Sequence, residues 1–384
     1  MAGVGVMFYV LLALRAELRG RGVFAKETEP KLDGLLPLVA LGTVADVVSL
    51  DANNRRMVSQ GLLRMRKGQM PAGLAALFKV AARDATQASS QDMGFAIGPR
   101  INAAGRLSDM TLGIECLRSD DTELAWRLAQ QLDTINRERR SMEGDMREQA
   151  LLLAESLMDS EEEAPAALCV YDEDFHEGVV GIIAGRLKDL HYRPCFVFAS
   201  SQSQGQAVLK GSGRSIAGFH LRDALDAIAK RHPNLLQRFG GHAMAAGCTL
   251  LEDDLATFEF ALQDIAVQWL DAATLAQTLA TDGSLPAQYV RPDMVKHLQA
   301  QVWGQGFAQP VFQDTVNVLS QKIVGEKHLS LKLQLHGQLV DAIWFGRTEG
   351  LPVQATVAYR LDINTWQGME KLQLQIEAMQ PFYN

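Results

Sequence analysis

The chain has 384 residues, 47% of them apolar and 21% charged, with a formal net charge of −8. That length suggests two or three domains, and the balance is that of a globular protein with enough apolar side chains for several cores. The net charge has the wrong sign for a simple polyanion binder. Cys116, Cys169, Cys195 and Cys248 are too scattered for a zinc knuckle or a redox pair, and read as small buried hydrophobes in a reducing cytoplasm.

The first fourteen residues, MAGVGVMFYVLLAL, are strongly apolar. They are shorter than the roughly 20 residues of a membrane span and lack the basic start and cleavage site of a signal peptide. The reading is a buried helix over about 1–20. A core helix with nothing before it implies that the chain begins inside a domain. LLPLVALGTVADVVSL follows and reads as an apolar, strand-like run ending at Asp46. NNRRMVSQGLLRMR and GLAALFKVAA carry helical spacing. Together these segments read as the closing part of an α/β domain.

Residues 91–106, QDMGFAIGPRINAAGR, read as a loop rich in glycine and small residues, before a long connecting helix over roughly 109–158. Its many acid–base pairs at three- and four-residue spacing support that helix. EEEAP then marks a boundary. From Ala166 the pattern becomes an α/β alternation. ALCVYDE, RPCFVFAS, QAVLKGSGRSI and AAGCTL are strands; HEGVVGIIAGRLKDL and HLRDALDAIAKR are helices. SSQSQGQ is a polar hairpin loop, and one more helix is expected over 253–280. Beyond about Leu285, VNVLSQKIVG, HLSLKLQLHG, QLVDAIWFG, PVQATVAYRLDI and KLQLQIEAM are short alternating strands. Five of them in about a hundred residues suggest a small barrel of the OB type.

Charge is unevenly spread. Residues 159–177 hold eight acids and no Lys or Arg, whereas 185–240 hold nine bases against three acids. A basic surface on an acidic protein is one reading, and an ordinary solvated helix surface is the other. Several segments then carry candidate chemistry. Asp46 closes an apolar run, where a carboxylate is costly without a partner; a hard divalent cation is one such partner, and a turn or cap is the alternative. GPRINAAGRL offers Arg100, Asn102 and Arg106 as an anion site, or a tight turn with exposed arginines. GSGRSI sets Ser212 and Arg214 among glycines at a strand end, which suits a phosphate cradle or a turn. In FGGHAMAAG, Gly240 and Gly241 bring backbone close and His242 sits at the tip, to bind phosphate or move a proton. The helix start in HEGVVGIIAGRL adds amides that favour anions. In WGQGFAQPVF, Trp303, Phe307 and Phe312 read as junction packing ahead of base stacking.

Taken in order, GTVADVVSLDANNR, GPRINAAGR, HEGVVGIIAGRL, GSGRSI, FGGHAMAAG, WGQGFAQPVF and VGEKHLSLKL resemble the RecJ family of DHH phosphoesterases, across nearly the whole chain. The resemblance implies an α/β fold in four parts. They are a partial DHH core over 1–80, a connecting loop and long helix over 81–160, a DHH-associated domain over 161–252, and a linker helix with an OB-fold over 253–384. It implies a single-strand-specific 5′→3′ exonuclease of recombination and repair, dependent on Mn2+ or Mg2+. Asp46 would be a metal ligand and His242 would face the cleft. Arg106, Ser212 and Arg214 would hold the terminal 5′ phosphate, with Arg100 and Asn102 beside them. Single-stranded DNA with a 5′ end would be the ligand and a single-stranded-DNA-binding protein a partner, for a cytoplasmic monomer with no membrane attachment. The family's Asp-x-Asp strand end and further Asp have no counterpart ahead of GTVADVVSL, and no Asp-His-His run occurs in this sequence. They are expected to precede residue 1, which would leave this chain with little or no activity alone. The competing expectations are a non-catalytic single-strand-binding module, a DHH phosphodiesterase of short oligonucleotides or cyclic dinucleotides, and an α/β enzyme for a small phosphorylated metabolite. The barrel segment argues against the second, and the missing P-loop against the third.

Overall fold

A computed structural model describes residues 1–25, 27–160, 164–203, 205–366 and 369–381. The acidic break at Glu161–Glu163 lies outside the described residues. Two compact units emerge. The first joins Met1–Pro99, Ile114–Gln130 and Leu279–Asn384, and the second joins Arg100–Gly113 and Gln131–Thr278.

The first unit opens with helices α1 (Gly3–Gly20), α2 (Leu36–Ala45), α3 (Ala52–Arg66) and α4 (Ala72–Val80). Two expectations need correction here. LLPLVALGTVA is a helix, not a strand. Its unbroken apolar run has no period to read, because α2 is buried nearly all round, and Pro37 in the first turn favours a helix start. Nor is α1 fully buried. Phe8 packs with Leu36, Val39 and Met57, while Val6, Met7, Val10 and Leu14 are exposed.

The same unit ends in a closed barrel. Its strands are β6 (Phe312–Val324), β7 (His328–Leu335), β8 (Gln338–Phe345), β9 (Gln354–Trp366) and β10 (Met369–Pro381). They close in the order β10-β8-β7-β6-β9, with β8 and β10 parallel. Inward positions alternate along β7, where Leu329, Leu331, Leu333 and Leu335 are buried. A short helix, Pro292–Gln299, precedes the barrel. Trp303 and Phe307 stack at 5.1 Å, the Arg55 guanidinium lies 3.6 Å from the Phe307 ring centre, and Leu50 N donates to Gln305 O at 2.7 Å. These rings are thus committed to internal packing, with Phe312 buried in the barrel core.

The second unit includes most of α5 (Gly98–Leu107) and the larger part of α7 (Thr122–Ser160). GPRINAAGRL is therefore a helix rather than a loop. Pro99 is tolerated in its first turn, and Ala103 and Ala104 are fully buried. The single long helix expected over 109–158 is two, a short α6 (Thr111–Arg118) and α7. Asp121 caps α7 by accepting from Glu123 N and Leu124 N.

A five-stranded sheet follows, in the order β1-β2-β3-β5-β4. Its strands are β1 (Leu168–Tyr171), β2 (Cys195–Ser203), β3 (Gln206–Arg214), β4 (Arg238–Gly241) and β5 (Ala245–Leu250). Helix α8 (Val180–His191) and α7 cover one face, burying Cys195, Val197 and Ala199. Helices α9 (Leu221–Arg231) and α10 (Leu255–Trp269) cover the other, with Phe196, Phe198 and Phe258 at its centre. Burial on both faces explains the continuous apolar run CFVFA. Residues 253–280 are not one helix: α10 ends at Trp269, and Asp271 caps a separate turn. Since Phe258, Leu262 and Ile265 belong to the sheet's core, α10 is part of the α/β unit rather than a linker to the barrel.

Candidate phosphate-binding site

Strand β3 reads K-G-S-G-R over 210–214, and the pleat separates these residues by face. Gly211 and Gly213 look onto the aromatic core. A Cβ at Gly211 would lie 2.3 Å from Phe198 Cε1, and one at Gly213 2.5 Å from Phe196 Cζ. These glycines make room for phenylalanines, not for a ligand. Lys210, Ser212 and Arg214 point the other way, toward α8.

Arg214 is held there by its own strand and by α8. Its Nη1 donates to Gly213 O at 2.8 Å and to Ser212 Oγ at 3.3 Å. Its chain runs along two glycines of α8. A Cβ at Gly181 would meet Nη2 at 2.9 Å, and one at Gly185 would meet Cγ at 4.0 Å. The i, i+4 glycine spacing in GIIAG thus builds a groove for this side chain. Burial, then the nearby Arg106 charge, lower the Arg214 pKa from its ordinary value. Arg106 comes from α5 and donates through Nη1 to Gly178 O at 3.1 Å. Neither guanidinium has a carboxylate partner among the described residues. Lys210 differs: its Nζ meets Glu177 Oε2 at 2.7 Å, and Ser201 donates to the same oxygen. The Lys210 ammonium, then the Ser201 hydroxyl, hold the Glu177 carboxyl below the usual carboxylate range.

Free amides at the start of α8 contribute less than the sequence implied. Gly178 N donates to His176 Nδ1, and Val179 N and Val180 N reach His176 O. His176 was missed by sequence reasoning; its ring closes the turn ahead of the helix, whose own N-cap residue, Val179, makes no side-chain cap. The positive charge of this site comes from Arg106 and Arg214.

Sheet register adds the Gly-Gly-His segment. Ser212 pairs with Gly247, which pairs with Gly240, so the three share one face in a row. Gly240 has open space where a Cβ would stand, whereas Gly241 is required by the backbone. Its φ is +134°, and a Cβ would lie 2.5 Å from Ala245 O. His242 is exposed at the hairpin tip, its N–H donating to Ala245 O at 2.8 Å. Ala245 in turn pairs with Arg214, which sets His242 two strands, roughly 10 Å, from Arg214.

The structure therefore gathers Arg106, Ser212, Arg214, Gly240, Gly241 and His242 in one unit. Asn102 is exposed one turn before Arg106 on the same face of α5. Arg100 does not join them: its Nε donates to Asp133 Oδ1 at 2.9 Å, with both side chains largely buried. Its charge is spent on fastening α5 to α7.

Asp46 belongs to the other unit. It follows the last turn of α2, is exposed, and is succeeded by Val47 at φ +55°, a strained conformation for a β-branched residue. The carbonyl end of a helix favours a cation. No group of three or more His, Cys, Asp or Glu suited to a metal occurs among the described residues. Asp46 alone does not make a site for a divalent ion, which needs several oxygen ligands. The four cysteines are buried; burial pushes Cys116 up to about 11 and the other three higher, so none is poised as a nucleophile. No helix among the described residues is long and apolar enough to cross a membrane.

Comparison with known proteins agrees with this architecture. Residues 164–268 match the DHHA1 domain and residues 281–378 the RecJ OB domain. The single-stranded-DNA-specific exonuclease RecJ of Dickeya dadantii is 46% identical over 391 residues, covering 99% of this chain and 67% of that protein. Its Escherichia coli counterpart is 42% identical, with the same coverage of both chains. The crystal structure of RecJ in complex with Mn2+ from Thermus thermophilus superposes with a TM-score of 0.78 at 27% identity. It covers 92% of this chain and 51% of the Thermus chain; the same protein is also known with Mg2+. On the strength of these matches and the two domains they cover, the chain belongs to the RecJ family.

Proposed function

We propose that this chain grips the 5′ end of single-stranded DNA for a 5′→3′ exonuclease of the RecJ type, acting in recombination and repair. The observation that carries this reading is the pair Arg106 and Arg214, set beside the Ser212 hydroxyl with no carboxylate to neutralise them among the described residues. A terminal phosphate carries a charge of about −1.5 to −2 and three acceptor oxygens, which suits two guanidinium forks and a hydroxyl. An internal phosphodiester carries one charge, and a 5′ hydroxyl none. The open floor at Gly240, with His242 at its rim, gives the first nucleotide a place beside the phosphate. The barrel would also bind single-stranded DNA, as OB-folds do. A cytoplasmic location, action as a monomer and contact with a single-stranded-DNA-binding protein complete the reading.

In relatives of known structure a divalent metal is bound, and hydrolysis in this family is metal-dependent. Asp46 would supply one oxygen to such an ion. The described residues do not complete its shell, so no chemical step is assigned to them. The absence of a metal-binding trio among them favours, as a second reading, a chain that binds DNA without cutting it.

Two measurements test both. Arg214→Ala should weaken binding of a 5′-phosphorylated oligonucleotide on the order of 1–3 kcal/mol, and that of the 5′-hydroxyl strand much less. Equal weakening of both would remove Arg214 from the phosphate site. Nucleotide release with Mn2+, abolished by EDTA, would rule out the binding-only reading.

A further inference from the structure

Beyond the terminal-phosphate site lies a second cluster of donors on α7. Asn136 is 1% exposed and its Oδ1 accepts from Arg139 Nη2 at 3.2 Å, but its Nδ2 has no partner among the described residues. Arg139 Nε, also buried, has none either. The remaining Arg139 nitrogen, Nη1, meets Glu143 Oε2 at 3.0 Å, and Arg186 of α8 approaches the other oxygen of Glu143 at 3.6 Å. Buried donors without acceptors are rare and costly, and they ask for a ligand or water.

The surrounding charge decides what kind of ligand. Arg139 has Arg140, Arg106 and Arg186 near enough to lower its pKa, with burial as the largest cause and Glu143 alone opposing. Among the described residues, four cations against one carboxylate leave an excess of positive charge that an anion would relieve. Arg106 is the common neighbour, since it also bears on Arg214. The two clusters therefore meet at Arg106, within the same unit.

We propose that Asn136, Arg139 and Arg186 form a second anion site that takes the phosphodiester next after the terminal phosphate. The inference rests on the terminal-phosphate reading for its order along the strand, and on the α7 donors for its existence. Glu143 positions the two guanidinium groups by bridging them. Its single charge leaves Arg139 Nε, Asn136 Nδ2 and the exposed side of Arg186 for the phosphate oxygens.

Ligand length separates the two sites. Binding to the full chain in EDTA is measured by calorimetry for thymidine 5′-monophosphate, with one phosphate, and for 5′-phosphorylated dithymidylate, with two. Arg139→Gln and Arg186→Gln should weaken the dinucleotide about tenfold and the mononucleotide less than about twofold, the loss expected of one charge-assisted contact. Arg214→Ala should weaken both ligands. Arg186 is 57% exposed, so its variant decides the matter even where Arg139→Gln disturbs folding. Unchanged dinucleotide binding in R186Q, or equal weakening of both ligands, overturns the second site. Loss of dinucleotide binding in R186Q, with no effect of Arg214→Ala on either ligand, would uphold the anion site and overturn the terminal-phosphate reading instead.

Discussion

Gly211→Ala isolates the packing role of the glycines in β3. The added methyl would stand 2.3, 2.7 and 2.8 Å from three ring atoms of Phe198, where carbon contacts normally lie at about 3.5–4.0 Å. The ring has little room to retreat. It is fully buried, lies 6.0 Å from Phe196, and meets Phe258 edge-on at 5.3 Å. Overpacking of this kind costs about 1–3 kcal/mol. Replacing a strand glycine returns roughly 0.5–1 kcal/mol, so the net loss should be about 1–2 kcal/mol. Urea unfolding would show it as a lower midpoint with an unchanged slope. In a Phe198→Leu background the same substitution should cost less, with a coupling of about 1 kcal/mol. Binding of 5′-phosphorylated DNA should weaken only as far as β3 shifts Ser212 and Arg214. A variant that keeps its midpoint yet loses its preference for a 5′ phosphate would refute the argument, because the glycine would then be serving the ligand.

Gly240→Val offers the opposite contrast. With open space at its Cβ position, stability should move by less than about 0.5 kcal/mol in urea unfolding, while affinity for a 5′-phosphorylated oligonucleotide falls several-fold. In the barrel, buried Asp314 accepts from Tyr359 Oη at 2.7 Å, Leu285 N at 3.2 Å and the Ser284 hydroxyl. Asp314→Ala should therefore cost on the order of 3 kcal/mol, and Tyr359→Phe about 1 kcal/mol, read from the same unfolding curves. Glu177 has a depressed folded-state pKa, so its contribution is fully present above the ordinary carboxylate range and is lost as pH falls below that range through the depressed folded value. Parent and Glu177→Gln should differ by under about 1 kcal/mol at pH 7, the pair being half exposed, and by progressively less as the solution is made more acid. A difference that persists in acid would count against this ion pair.

Elements with a period were legible in the sequence. β7 alternates along its length and β6 over its first half, and β2 shows the run of a strand buried on both faces. Elements without one were misread. Helix α2 is apolar on every side, so nothing in LLPLVALGTVA distinguishes helix from buried strand. Helix α5 contains two glycines and a proline, which look like a loop until Ala103 and Ala104 are seen to be buried. The short β4, Arg-Phe-Gly-Gly, has no strand signal of its own and exists by pairing with β5. The candidate site divides along the same line. Arg106, Ser212, Arg214 and His242 stand out as polar residues among glycines. What packs against or pairs with the basic residues does not, because most of those neighbours are distant in sequence. Arg100 is spent on Asp133, Lys210 on Glu177, and Gly181 makes room for Arg214.

On the proposed reading, the contacts of Arg106 and Arg214 set how the site would discriminate. Of Arg106, Lys210 and Arg214, only Lys210 has a carboxylate partner among the described residues. Arg106 is tethered to a carbonyl, and Arg214 to a carbonyl and a hydroxyl. These are neutral acceptors, which orient a guanidinium without cancelling its charge. Arg214 is moreover fixed before any ligand arrives, in a groove that a side chain at 181 would obstruct. Mutual repulsion and burial make the empty arrangement costly, and a dianion relieves more of that cost than a monoanion. On the proposed reading, a preference for a strand end over an internal phosphodiester would follow from charge held in place by neutral contacts, and would require no base-specific contact. Salt should accordingly weaken binding of the phosphorylated end more steeply than that of a 5′-hydroxyl strand.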